Sequence, residues 1–313
     1  MASIRRIARM LVVCIAVVFS LLTFPAAIPR MIAAWLALHT WATWNGRSSW
    51  APLLVVCAVV AAKRPDWSFS LLALTATMGG VAAGGLRNAW RPPLARRRIA
   101  WGSTALLWAA WAWFAWDYAA ASHVSRRLAL TDRPVVCMGD SLTAFGYPKL
   151  LAERLTVPVI DLSVSGSSTV DSLKLLGRMR EAWPQTVVIE LGGHDFLKGF
   201  SRDATADNLR QIIDAAEAIG ADVLLVEIPR GFIVDWFNGL ERELAREYDL
   251  ELVPDTAIRQ LVLWSSSMPP GTWVNANARL SDDGLHPNAR GNAYLAECVA
   301  AALANMYGVQ ILK

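Results

Sequence analysis

Five charge-free stretches dominate the first third of the chain, at residues 10–29, 31–46, 48–62, 67–86 and 99–116. A helix needs about 20 apolar residues to cross the hydrocarbon core of a bilayer, with a usual range of about 17 to 25. The first, fourth and fifth stretches meet that length and are predicted to be membrane-spanning helices. The second and third are short. They read as two short spans, a re-entrant pair, or an interfacial segment around Asn45 and Gly46. Residues 1–121 are therefore expected to form a transmembrane region of three to five spans.

Beyond it the pattern changes. Short apolar runs at 134–138, 158–162, 186–191, 222–228 and 251–253 suit strands, the longer ones buried on both faces of a parallel sheet. Helices are predicted between and after them, over 148–155, 170–182, 205–219, 236–247 and 289–306. That alternation makes residues 122–313 an α/β domain, a three-layer α/β/α arrangement with a mainly parallel sheet, preceded by transmembrane helices. Chemistry in such sheets sits at the carboxyl ends of the strands.

Charge sharpens the division. Through residue 121 there are twelve basic and two acidic residues, a net +10, whereas the remainder carries eighteen basic and twenty-four acidic residues, a net −6. The overall +4 thus reports arginines flanking apolar segments, and it argues against nucleic-acid binding. Arginine placement also predicts orientation. Arg5, Arg6 and Arg9 precede the first stretch, and Arg87, Arg91, Arg96, Arg97 and Arg98 form the densest basic loop; both belong in the cytoplasm. An even number of crossings must separate them, so the fifth stretch leads outward and the second domain lies on the non-cytoplasmic side. Lys63 and Arg64 then face outward, a mild violation. The N-terminus also resembles a signal peptide, but the length of its apolar run and the further apolar segments favour a retained anchor.

Eleven of the fifteen tryptophans precede residue 122, five of them in 101–116, which suits an interfacial belt and helix packing better than a ligand-stacking box. His39 has no acidic or histidine neighbour in its stretch and reads as structural or interfacial. The four cysteines form no CxxC pair and no zinc-spaced cluster, so they are expected to be buried or lipid-facing thiols.

Four short blocks carry the candidate chemistry. Gly139-Asp140-Ser141-Leu142 follows the first predicted strand, where a serine can present its hydroxyl above the sheet beside a helix N-terminus. Ser163-Val164-Ser165-Gly166-Ser167-Ser168 follows the second, and its glycine lets backbone N–H groups approach a substrate. Leu191-Gly192-Gly193-His194-Asp195-Phe196 follows the third. Near the C-terminus, Ser281-Asp282-Asp283-Gly284-Leu285-His286-Pro287-Asn288 places an acid three residues before a histidine. A carboxylate that close can hold the imidazole's tautomer while the other ring nitrogen takes a serine proton. Taken singly, each block also suits an ordinary turn, cap or surface loop.

Together, in this order, they resemble the SGNH/GDSL hydrolases, a family of serine esterases and lipases, over residues 134–306. The resemblance implies Ser141 as nucleophile, His286 as general base and Asp283 as its orienting acid, with the adjacent Asp282 outside the triad. It implies an oxyanion hole built from the backbone N–H groups of Ser141 and Gly166. The family's third donor is an Asn in a Gly-x-Asn-Asp block; here Gly192 and Asp195 match, and His194 stands where the Asn belongs. A neutral imidazole still has one N–H to donate. The implied function is a membrane-anchored serine esterase, needing no metal or organic cofactor, acting on ester bonds of lipid or acylated envelope glycan. An O-acyltransferase using the same triad and a non-catalytic scaffold with a degenerate site are the alternatives.

Overall fold

The computed structural model describes residues 28–45, 53–54, 56–57, 68–87, 93–120, 123–124, 128–228, 230, 237, 239–255, 258, 261, 279–283 and 286–313. The chain divides into two units, residues 1–119 and 120–313.

In the first unit, helices Ile28–Trp44, Phe69–Arg87 and Pro93–Ala120 pack around Ile32, Leu36, Leu71, Leu74, Met78, Leu107 and Phe114. Two tryptophans of the third helix are held by polar contacts: Trp108 Nε1 donates to Thr40 Oγ1 at 2.9 Å, and Trp111 Nε1 to the Pro29 carbonyl at 2.8 Å. Trp44, Trp113 and Trp116 are exposed, and His39 is buried. Among the described residues, no helix is long and apolar enough to cross a membrane. The crossings expected at 31–46, 67–86 and 99–116 find no support in these helices. The first helix has 17 residues, about 26 Å at 1.5 Å per residue against a core about 30 Å thick. The third, at 28 residues, has the length but is built from Ala, Gly, Thr and Trp more than from Leu, Ile or Val. Stretch 10–29, except its last two residues, and most of 48–62 lie outside the described residues.

The second unit holds a five-stranded sheet: β1 Val135–Gly139, β2 Val159–Asp161, β3 Thr186–Glu190, β4 Asp222–Val226 and β5 Glu251–Val253. Their spatial order is β2-β1-β3-β4-β5, and every pair is parallel. Successive strand residues point to opposite faces. Val135 and Cys137 of β1 pack with Val188, Leu224 and Val253 against helices Tyr147–Arg154 and Ala289–Tyr307. Val136 and Met138 pack with Val187, Ile189, Val223 and Leu252 against helices Leu176–Ala182, Arg202–Glu217 and Leu240–Tyr248. Both faces are thus covered, which explains the unbroken apolar runs.

Helix ends follow their caps. Ser201 Oγ accepts from Ala204 N–H at 3.1 Å and starts a helix three residues ahead of the expected position, and Gly220 at φ +67° turns the chain back toward β4. The single helix expected over 170–182 is two, Thr169–Leu173 and Leu176–Ala182: a capping box of Ser168 and Asp171 starts the first, and its end tightens as the Lys174 and Leu175 N–H groups donate to the Asp171 and Ser172 carbonyls three residues back. Part of the helix expected over 236–247 lies outside the described residues; the observed one is Leu240–Tyr248.

Candidate active site

The four blocks are assembled by backbone contacts at the carboxyl end of the sheet. β1 ends at Gly139, and the chain turns at once into a short helix, Ser141–Ala144. Asp140 caps it, its Oδ1 accepting from Leu142 N–H at 3.0 Å. Ser141 is the first helical residue and is buried, at 6% exposure. Gly139 has to be glycine: a Cβ there lies 2.0 Å from Thr143 Oγ1 and 2.6 Å from Thr143 Cβ. The second block is laid beside the first by Val164 N–H, which donates to the Gly139 carbonyl at 3.0 Å. Gly166 takes a left-handed φ of +79°, with open space where a side chain would sit.

The third block begins at Gly192, φ +107°, with Arg230 Nη2 only 2.6 Å from where its Cβ would be. Arg230 Nε donates to the Gly192 carbonyl at 3.1 Å, and its guanidinium is buried in an ion pair with Glu241. Gly193 brings the block against Asp140, whose Oδ2 lies 3.0 Å from the Gly193 Cβ position. Asp195 is fully buried and reaches back to the second block, accepting from Thr169 N–H at 2.9 Å and from the Thr169 hydroxyl. Lys198 Nζ adds a bond to the Gly166 carbonyl at 3.1 Å. His194 is half-buried in the short helix Gly193–Leu197.

Asp283 and His286 of the fourth block are brought together. Asp283 Oδ1 accepts from the His286 backbone N–H at 2.9 Å, and Oδ2 lies 2.7 Å from ring Nδ1. One carboxylate therefore grips both main chain and ring, fixing the Nδ1–H tautomer and leaving the Nε2 lone pair available. Asp282 is exposed. The His286 ring stacks on Phe145, with centroids 4.2 Å apart and planes at 21°. Phe145 ends the Ser141 helix, its N–H donating to the Ser141 carbonyl at 3.1 Å, and Asn292 Nδ2 holds the Phe145 carbonyl at 3.0 Å. No hydrogen bond joins the Ser141 hydroxyl to His286 in this structure. Gly284 and Leu285 lie outside the described residues.

Sequence reasoning missed the buried polar groups underneath. Burial raises the pKa of Asp140, offset by the Leu142 N–H, a hydrogen bond with Glu190, and the attraction of His194 and Arg230. Glu190 ends β3 fully buried, and burial holds its carboxyl well above the usual range. An acid closing an otherwise apolar strand was the available signal. Among the described residues, no three His, Cys, Asp or Glu side chains are grouped to hold a metal ion.

Residues 137–294 match the GDSL-like lipase/acylhydrolase family, and that span contains all four blocks. The chain is 30% identical over 193 residues to thioesterase 1/protease 1/lysophospholipase L1 of Escherichia coli, covering 56% of this chain and 86% of that protein. It is also 30% identical over 203 residues to an arylesterase of Vibrio mimicus, covering 59% and 91%. Among solved structures it is similar to TesA, at 26% identity and a TM-score of 0.46, over 55% of this chain and 99% of that one. The chain belongs to the GDSL-like lipase/acylhydrolase family and is a serine hydrolase acting on esters.

Proposed function

We propose that Ser141 is the nucleophile, with His286 as general base and Asp283 as the acid that orients it. The observation carrying this reading is the double grip of Asp283 on His286, with the imidazole stacked one helical turn beyond Ser141. Ser141 Oγ attacks the ester carbonyl as its proton passes to His286 Nε2. The oxyanion is held by the backbone N–H groups of Ser141 and Gly166 and by His194 in the place of the family's Asn. Collapse releases the alcohol, which takes the proton from His286, and leaves an acyl-Ser141 that water then hydrolyses by the same route.

The substrate class is carboxylic esters of lipids or of acylated envelope glycans, met at a bilayer outside the cytoplasm. Membrane attachment and the non-cytoplasmic placement of residues 122–313 rest on the charge pattern of the sequence, with Arg5, Arg6 and Arg9 ahead of the apolar stretch 10–29. The lysophospholipase and arylesterase names of the relatives support lysophospholipids and aryl esters as first substrates to try. The test is covalent labelling by a fluorophosphonate together with hydrolysis of short acetyl esters, long acyl esters, lysophospholipids and acetylated glycans. Ser141→Ala should abolish labelling, and Ser141→Ala and His286→Ala should each lower turnover by at least about 10³. Labelling that survives Ser141→Ala refutes the assignment. A reporter active only outside the cytoplasm, fused after Lys313, should be active; cytoplasmic activity refutes the orientation.

A further inference from the structure

Glu190 pairs with Gly139 across the β1–β3 ladder, which sets its side chain directly under the Ser141 turn. Its Oε2 accepts from Thr143 Oγ1 at 2.9 Å and from the Asp140 N–H at 3.3 Å. Its Oε1 receives no donor. The Asp140 carboxyl is the neighbouring acid, and burying two adjacent carboxylates favours a proton on one of them. Tyr147 of helix Tyr147–Arg154 also faces it, with Cys137 of β1 beside the phenol. Burial pushes the thiol up to about 12 and the phenol well above its usual value, so neither is charged. The Arg230 guanidinium and the His194 ring favour negative charge on Asp140, whose Oδ1 accepts the Leu142 N–H at 3.0 Å, shorter than the 3.3 Å bond from the Asp140 N–H to Glu190 Oε2. The proton therefore belongs on Glu190, at the oxygen that accepts nothing.

We propose that Glu190 is a positioning residue for the nucleophile: an uncharged acid that anchors Thr143 and the Asp140 amide on one oxygen and donates from the other to the Asp140 carboxylate. The Asp140 carboxylate, so oriented, caps Leu142 and fixes the turn that presents the Ser141 hydroxyl. The role rests on Ser141 being the nucleophile, and it leaves substrate contact to other groups.

The test compares Glu190→Gln, Glu190→Ala and Thr143→Val in the full chain, reading kcat and KM on an aryl acetate and the rate of fluorophosphonate labelling. A glutamine reproduces the neutral acid's donor and acceptor, so Glu190→Gln should keep kcat within about threefold of the parent. Glu190→Ala should lower kcat and the labelling rate at least about tenfold, with KM within about twofold, because only placement of the nucleophile is lost. Thr143→Val should lower kcat about threefold with KM held, and it reads the same contact should Glu190→Ala not fold. The proposal is overturned by a Glu190→Gln chain as impaired as Glu190→Ala or unable to fold, since either means that a charge is required. Parent-like kcat in Glu190→Ala or in Thr143→Val overturns it as well. Ser141→Ala separates the two levels. Labelling that persists there removes the nucleophile itself, whereas labelling lost there but unaffected in Glu190→Ala removes only the role of Glu190.

Discussion

Gly139→Ala adds one methyl group at the end of β1 and should be among the most damaging single substitutions in the second unit. The new carbon lies 2.0 Å from Thr143 Oγ1, 2.6 Å from Thr143 Cβ and 2.9 Å from Glu190 Oε2. Ordinary contact begins near 3.4 Å, so a displacement above 1 Å is forced. β1 cannot supply it, because the strand is hydrogen-bonded between β2 and β3. The Ser141–Ala144 helix must move, and Ser141 moves with it. Overpacking of this kind costs about 1–3 kcal/mol, and backbone-tethered overlap belongs at the upper end. For a unit of this size about 3 kcal/mol lowers Tm by about 6–12 °C. Displacing the nucleophile by about 1 Å lowers kcat by about 10². Scanning calorimetry and ester kinetics read the two effects separately. Adding Thr143→Gly removes both Thr143 atoms that the methyl meets, so the double variant should recover at least about 1 kcal/mol relative to additivity. A Gly139→Ala protein melting within about 2 °C of the parent with parent-like kcat refutes the argument, as does strict additivity in the double variant.

Asp283→Ala should lower kcat by about 10² or more, and Asp282→Ala by less than about threefold, in the same ester assay; the reverse order would put the acid one residue earlier. If His194 donates to the oxyanion, His194→Ala should reduce kcat far more than it raises KM, while His194→Asn should keep or raise kcat. Parent-like behaviour of both variants across pH would leave the hole to the backbone donors alone. For Glu241, burial outweighs the attraction of Arg230 and raises the carboxyl from 4.5 to about 7. The folded state thus holds this proton more tightly than the unfolded chain, so its stabilising contribution is complete below about 4.5 and lost as pH rises through about 7. Between pH 5 and pH 8, Tm of the parent should fall relative to that of Glu241→Gln; parallel curves would show that Glu241 does not titrate there.

The strands were readable because a run such as Val135–Gly139 is short, apolar and set between turn residues, as suits a strand buried on both faces. The break after Leu173 was not, since it depends on backbone bonds from Lys174 and Leu175 three residues back inside an otherwise helical pattern. At the candidate site, the residue types were visible as blocks. The pairing of Asp140 with Glu190 was hidden, because fifty residues separate two acids that the β1–β3 register makes neighbours. In the first unit, counting charge-free residues identified helices, but for Pro93–Ala120 it overstated apolarity, since alanine and tryptophan are uncharged without supplying the apolar character of leucine. Which indoles would find a partner, Trp108 with Thr40 and Trp111 with Pro29, depends on helices brought together in space.

The stacking of His286 on Phe145 also sets a clock on biosynthesis. The Ser141 turn can form once β1 and its neighbours, ending at Glu190, have left the ribosome, but His286 is encoded 96 residues beyond that strand. At about 5–20 residues per second, that separation amounts to roughly 5–20 s of translation. If Ser141 depends on His286 as its base, the nascent chain should stay silent toward esters throughout that interval, until the helix beginning at Ala289 docks and Asn292 clasps the Phe145 carbonyl.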